Sequence, residues 1–317
     1  MIKLGVVYGL AGLVFAAFAV LSALDRANRK RFGNAAFWGL VSLSFLAGDR
    51  LGDRGNGVLV LGLALIAGFG LLGRGAPPTT SPDERRALAQ RFGLKLFAPA
   101  LTLPVVVALG VLVLKPLHFG GTPLFDPKQA TLISLALAAV IATGVGLVLL
   151  RQPAMSPLQE GRRLMDTVGW AALLPQMLAA LGAVFALAGV GDTIGRLVTE
   201  WIPMDARITA VAVYCLGMAG FTVIMGNAFA AFPVLTAGIG FPILIRQFGG
   251  DPAVVASIGM LSGFCGTLMT PLAANFNLVP ATLLELPDRY AVIKAQIPTA
   301  LPLLAANVVL MYVLAFR

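Results

Sequence analysis

The sequence predicts an all-α integral membrane protein with about eight transmembrane helices, one re-entrant hairpin and one broken helix, its N-terminus outside. Three observations carry that expectation. The 317 residues are 58% hydrophobic and only 12% charged, about half the charge that a soluble domain carries. Apolar runs close to the roughly 20 residues needed to cross a hydrocarbon core recur along the chain. Lys and Arg sit in short clusters between those runs, and two uncharged stretches near the C-terminus are too long to be plain spans.

The elements follow in order. Leu4–Leu24 is the first span; it is too long for the apolar core of a signal peptide and no small-residue cleavage site follows it, so it reads as retained. Phe32–Ala47 and Val58–Leu72 are the second and third, both short for a bilayer. Between them, Asp49, Arg50, Asp53 and Arg54 are expected to form an interfacial ion-pair cluster. Gly75–Gln90, with Pro77, Pro78, Thr79, Thr80, Ser81 and Pro82, is a polar break that reads as a cytoplasmic loop plus a surface helix. Leu96–Leu114, Ala130–Leu150 and Val168–Val190 are the fourth to sixth spans, and Ile297–Phe316 is the last. Gln159 to Arg163, with Pro157 near the start, reads as an amphipathic cytoplasmic helix ahead of span six, and Pro287–Gln296 reads similarly ahead of the last span.

Charge sets the orientation. Segments after spans one, three and five carry twelve basic residues (Arg26, Arg29, Lys30, Arg31; Arg74, Arg85, Arg86, Arg91, Lys95; Arg151, Arg162, Arg163). The alternating segments 48–57, 115–129 and 191–207 carry six: Arg50, Arg54, Lys115, Lys128, Arg196 and Arg207. The richer set belongs in the cytoplasm. The net charge of +9 is therefore matched by anionic lipid headgroups of the bilayer, and no aromatic-interleaved basic patch points to nucleic acid. Cys215 and Cys265 lie far apart in apolar segments, without a CxxC partner, and read as small core packers.

Residue chemistry argues against an enzyme. The single histidine, His118, sits in a Gly/Pro-rich loop, where a lone histidine is ordinarily solvated. No GxSxG, HExxH or P-loop motif is present. No cofactor is expected beyond a coupling ion, Na⁺ or H⁺. Spans six to the end hold no mid-membrane acid, so the neutral Asn/Thr set leans towards Na⁺.

The two long stretches carry the chemistry. Ile208–Ile245 is 38 uncharged residues, about 57 Å as one straight helix at 1.5 Å per residue against a core of about 30 Å. The chain must turn back, and the breakers sit in Met225–Pro233. We expect a re-entrant hairpin with arms 208–224 and 233–245 and its tip at Gly226–Ala231, carrying Asn227; the other reading is two ordinary spans joined by a short outer turn. Pro252–Leu284 is also uncharged, with Thr267, Thr270, Pro271, Asn275, Asn277 and Pro280 at its centre. A Thr-Pro step with two asparagines describes a broken helix. Its freed carbonyls and Thr and Asn side chains suit a cation, and the N-terminus of the second half suits an anion. The structural alternative is a proline kink whose asparagines bond to a neighbouring helix. Gly259, Gly263 and Gly266 permit close helix approach and read as packing.

At these two segments the chain resembles the ion transporter superfamily, the elevator-type carriers of organic anions. Gly226–Asn227–Ala228 stands at the position of that group's Ser-Asn-Thr-like hairpin triplet, with only the Asn retained, and Thr270 to Asn277 looks like its broken helix. Almost the whole chain resembles a bacterial membrane family catalogued as domain of unknown function nine-seven-nine. That likeness rests on Lys30–Gly33, Pro157–Arg163, Met225–Pro233 and Lys294–Ala300. The second resemblance implies a companion polytopic membrane protein, the bacterial cytoplasmic membrane, and neighbourhood with pyroglutamyl peptidase, hence pyroglutamate or a related carboxylate as cargo. Superfamily carriers build the site from two inverted halves, and one hairpin-plus-break pair is visible here. The chain is expected to be the C-terminal half of a split, oligomeric transporter, with ligands from Gly226, Asn227, Ala228, Thr267, Thr270, Pro271, Asn275 and Asn277 and Na⁺ at Asn227, Thr270 and Asn275. Three regions follow: 1–95, three spans with basic loops serving as scaffold or oligomerisation surface; 96–207, spans four to six; and 208–317, the transport-like core. An accessory subunit without a site of its own is the main competitor, and a membrane-embedded enzyme is a weaker one.

Overall fold

A computed structural model describes residues 1–75, 81–119, 121–284 and 286–316. Pro77, Pro78, Thr79 and Thr80, the centre of the expected polar break, lie outside the described residues, as does the side chain of His118. Among the described residues the regular secondary structure is helical apart from a short antiparallel hairpin, β1 (His118–Phe119) and β2 (Thr122–Pro123), and one isolated bridge between Ile2 and Phe125. Among the described residues seven helices are long and apolar enough to cross a bilayer, or eight if one bent pair is a single span. This is a multi-pass membrane protein. The chain divides into two compact units, Met1–Thr167 and Val168–Arg317.

In the first unit, α1 (Leu4–Leu24) precedes α2 (Arg31–Gly68). Gly52 adopts φ 61°, ψ −176°, a conformation that glycine alone takes readily, and the chain doubles back there. Gly62 thereby meets Leu40, and Gly33 meets the carbonyl of Leu71. The second and third spans are thus the two arms of one helical hairpin. The expected loop 48–57 is helical on both sides of the reversal. The ion-pair cluster proposed there is corrected: Asp49, Arg50, Asp53 and Arg54 are all exposed, and no ion pair joins them among the described residues. In water such pairs gain too little to hold long side chains in one geometry.

α3 (Pro82–Phe92) is the expected surface helix, begun by a capping box in which the Ser81 hydroxyl accepts from the Glu84 N–H and Glu84 accepts from the Ser81 N–H. α4 (Ala98–Leu109) runs on through a π turn at Gly110–Leu114, and α5 (Ala130–Leu150) and α6 (Ser156–Val168) follow. Loop contacts sort the ends of this unit. The Ile2 N–H donates to Leu124 at 2.7 Å and the Asp126 N–H to Ile2 at 3.1 Å, so the N-terminus shares an end with segment 115–129. At the other end, Asn28 and Asn34 donate to the Gly73 carbonyl at 3.0 and 2.8 Å, Lys30 donates to Gly70, and Arg162 pairs with Asp25. The three richly basic segments therefore gather at one end, as alternation of charge requires.

The second unit holds α7 (Leu174–Leu187), α8 (Val190–Trp201), α9 (Arg207–Met225), α10 (Ala228–Leu235) continued by a π-helical stretch Thr236–Gln247, α11 (Pro252–Leu268), α12 (Leu278–Leu283) and α13 (Ala291–Leu314). Its core includes the fully buried Tyr214, Met218, Val234, Leu244 and Val255, with the Tyr214 hydroxyl 2.9 Å from that of Thr236. Cys215 and Cys265 are free and buried, in keeping with core packing. Two expectations change. Span six ends at Leu187, and the segment read as an outer loop is mostly α8, bent by 68° from the end of α7. Asp192, Arg196 and Glu200 recur every four residues, so α8 keeps one polar face while Gly191 and Gly195 are buried on the other. Residues 291–296 are not a separate surface helix but the first turns of α13.

The buried face of α8 lies directly on the π-helical stretch. A methyl group added at Gly195 would run into the carbonyl of Gly238, whereas one at Gly220, on α9, would meet open space. Gly195→Ala is expected to lower the melting temperature of the detergent-solubilised protein by an amount equivalent to about 1–3 kcal/mol of overpacking. Gly220→Ala is expected to leave it unchanged or raise it slightly, because alanine is the better helix former by about 1 kcal/mol.

Candidate functional site

α9 ends at Gly226, which takes φ 76° and closes the helix with its N–H on the Thr222 carbonyl at 2.7 Å. Asn227 is extended and caps α10, its side-chain oxygen accepting from the Phe229 N–H at 2.7 Å. The turn is therefore two residues, not the six expected. With its first donors satisfied by the cap, the helix starts at once, so Ala228 to Ala231 are helical and Pro233 lies inside α10 instead of starting the second arm. The missing Pro233 N–H leaves the Phe229 carbonyl without its helical partner, and Gly182 of α7 lets that carbonyl lie against it. The arms, Arg207–Met225 and Ala228–Gln247, are 19 and 20 residues, each long and apolar enough to cross a bilayer; by length they match the other reading, two spans joined by a short turn, and not a re-entrant hairpin with arms 208–224 and 233–245. The tip is not solvated: Asn227, Ala228, Ala230 and Ala231 are all buried.

The break lies against this tip. After α11 the chain is irregular from 269 to 277, and α12 resumes for six residues. Thr270 precedes Pro271, which disfavours helical backbone at Thr270. The Asn277 side-chain amide donates back to the carbonyls of Thr267 at 2.9 Å and Thr270 at 2.7 Å, groups that the end of α11 would otherwise leave orphaned. The Thr270 hydroxyl donates to the Val223 carbonyl on α9 at 2.9 Å and accepts from the Leu272 N–H at 3.2 Å. A methyl at Gly226 would meet the Leu272 carbonyl oxygen at 2.7 Å, so the backbones of tip and break touch. Gly263 admits Ala228 and Thr222, Gly266 meets the Ala219 carbonyl, and Phe229 packs edge-on to Phe264 at 5.8 Å. The small residues of α11 therefore pack as expected.

The fold thus gathers Gly226, Asn227, Ala228, Thr267, Thr270 and Asn277 at one buried junction. Pro271 is exposed, and Asn275 is half-buried with no hydrogen bond among the described residues. One expectation is corrected. α12 has only six residues and Asn277 turns away from it to cap α11, so it offers too few aligned peptide dipoles to hold an anion.

Thr222 belongs to the junction and the sequence reading missed it; its one signal was a hydroxyl a turn ahead of Gly226. Three buried polar atoms here have no hydrogen-bond partner: Thr222 Oγ1, Asn227 Nδ2 and Asn277 Oδ1. An unmatched buried polar group costs about 1–3 kcal/mol. The set is one amide donor, one hydroxyl and one carbonyl acceptor, on segments without charge from Ile208 to Ile245 and from Pro252 to Leu284. Its spare oxygens would suit a small hard cation and its amide N–H an anionic oxygen. Among the described residues no group of three His, Cys, Asp or Glu side chains is placed to hold a metal ion.

A family described as "protein of unknown function (DUF979)" matches residues 5–316. No curated protein and no solved structure matches the chain. Asn277→Ala strands two carbonyls inside the protein and is expected to cost about 1–3 kcal/mol for each, read as a lower melting temperature. Asn275→Ala removes no bond and is expected to leave the melting temperature unchanged.

Proposed function

We propose that this chain, which belongs to the DUF979 family of proteins of unknown function, is a subunit of a secondary transporter for a small organic anion. The supporting observation is the buried junction of tip and break with its three unpartnered polar atoms. Irregular backbone at membrane depth is tolerated where protein or a water-lined cavity satisfies it. Here Asn277 and Thr270 satisfy the break, yet Thr222, Asn227 and Asn277 retain unused hydrogen-bonding capacity. Carriers place substrate and coupling ion at such discontinuous helices.

In this reading Asn227 Nδ2 donates to a carboxylate oxygen of the substrate, and Thr222 Oγ1 and Asn277 Oδ1 supply oxygens towards the coupling cation. Neither charge-free segment contains Lys or Arg, so a co-transported cation, Na⁺ or H⁺, offsets the anion. The bond from Thr270 to Val223 joins hairpin to break, and the two move as one body in an elevator-like cycle. The likeness to one half of an ion transporter superfamily carrier makes a companion polytopic protein the source of the other half. Pyroglutamate or a related carboxylate is the cargo, and the bacterial cytoplasmic membrane the site. An accessory subunit without a substrate site would equally have a companion but leaves the unpartnered atoms without a role.

The test is uptake of labelled pyroglutamate into proteoliposomes holding this chain and its companion, in Na⁺ and in choline buffers. Loss of a hydrogen bond to a charged group is worth about 1.5–3 kcal/mol, so Asn227→Ala is expected to weaken apparent substrate affinity about 10- to 100-fold at unchanged expression. Unaltered uptake in both Asn227→Ala and Thr222→Val would overturn the assignment.

A further inference from the structure

A second buried polar cluster lies in the first unit, at the end where the basic segments gather. Arg162, on α6, is 8% exposed. Its Nη1 donates to Asp25 Oδ2 at 2.8 Å and to the Leu21 carbonyl at 3.4 Å, and lies 3.9 Å from Asp166 Oδ2 one turn along. Its Nε has no partner. Asp166 accepts from the indole N–H of Trp38 at 2.7 Å, and Trp38 is buried on α2. The Asn34 amide also faces Asp166 while it clamps Gly73 through both of its polar atoms. One guanidinium is thus enclosed with two carboxylates. Arg162 is the cation whose charge acts on both Asp25 and Asp166; close by, Arg74 donates to the Thr167 carbonyl and Lys30 to the Gly70 carbonyl.

With both carboxylates ionised, a net negative charge would be buried, which is costly without a further partner. Neutrality requires one proton. We propose that Asp25, Arg162 and Asp166 form a proton-binding site whose occupancy fixes α6 against α1 and α2.

The two acids divide the roles. Burial raises Asp25, but the Arg162 bond and the backbone N–H of Ala27 outweigh it, so its pKa falls below the usual 3.8. Burial dominates at Asp166, outweighing Trp38, Asn34 and Arg162, and the Asp25 charge adds to it, so its pKa is raised above 3.8. Of the two acids, Asp166 is therefore the one that takes up the proton first as pH falls. A protonated carboxyl still accepts the indole N–H through its carbonyl oxygen and, as donor, can use the second oxygen. When α6 undocks, Asp166 returns to water and releases the proton. Docking of α6 is linked to uptake of one proton from solvent: the Asp166 contribution is full below pH 3.8 and is lost as pH rises through the raised value. The Asp25 contribution runs the other way, being present above 3.8 and lost as pH falls through its lowered value. Docking is tightest where Asp25 is ionised and Asp166 protonated. α6 ends at the boundary between the two compact units, so the proton acts on the segment through which the chain passes from one to the other.

The experiment is amide hydrogen exchange over residues 156–168 of the full detergent-solubilised chain, referenced to intrinsic exchange, from about pH 4.5 to 8. Protection in the wild type is expected to fall with rising pH, by up to about tenfold per unit until the raised pKa is passed. Asp166→Asn is neutral throughout and is expected to be protected with no such slope. A flat wild-type profile, or the same slope in Asp166→Asn, would overturn the proposal. Should Asp166→Asn fail to fold, Trp170→Phe/Trp201→Phe leaves Trp38 as the single indole. Its emission is expected to titrate over the same interval, and an invariant emission would equally overturn the proposal.

Discussion

The second unit depends on two hydrogen bonds from one side chain. In a helix buried in hydrocarbon every carbonyl has its partner four residues on, and a chain that stops being helical there loses several partners together. Asn277 replaces two of them by donating to Thr267 and Thr270. With those groups satisfied, the segment 269–277 can remain irregular, Pro271 can follow Thr270, and the Thr270 hydroxyl is free to reach the Val223 carbonyl. The hairpin tip is then held by the break, and position 226 calls for glycine on two counts, its left-handed backbone and the Leu272 carbonyl that occupies the space a side chain would take. Tip, break and unpartnered atoms form one construction.

Much of this was legible in sequence, and what was not had a physical reason. Leu4–Leu24 and Ala130–Leu150 match their helices residue for residue, because charge bounds each run on both sides. The pairing of Gly226–Asn227 with Thr270–Asn277 was visible because polar and helix-breaking residues in a charge-free stretch have few other uses. The length of the tip was not, since Pro233 looks like a helix start and only the Asn227 cap shows that the helix had already begun. Asn277 read as a ligand because its partners are backbone carbonyls, which every residue has. α8 was hidden by its own amphipathicity: charges every fourth residue resemble a loop when hydropathy alone is read.

The cluster around Arg162 shows another limit. Its partners lie 137 and 128 residues away, for Arg162 with Asp25 and Trp38 with Asp166. A basic residue in a cytoplasmic amphipathic helix is ordinarily a solvated one, and nothing local in Pro157–Arg163 separates Arg162, which is buried, from Arg163, which binds Glu160 on the surface. Only the reversal at Gly52, which returns segment 70–75 to the start of α2, encloses the site.

The contact between α8 and the π-helical stretch, backbone against backbone at Gly191, Gly195 and Gly238, has a mechanical side. Helices that interlock through side-chain ridges must climb out of one set of grooves to enter the next, so their relative position is notched. Close backbone approach sets a different kind of stop: the next residues along α8, Val190 and Ile194, carry side chains that pack into the core, and there is no room for them where Gly191 and Gly195 lie. The crossing therefore acts as a keyed joint, with the glycines as the slot that admits a single register.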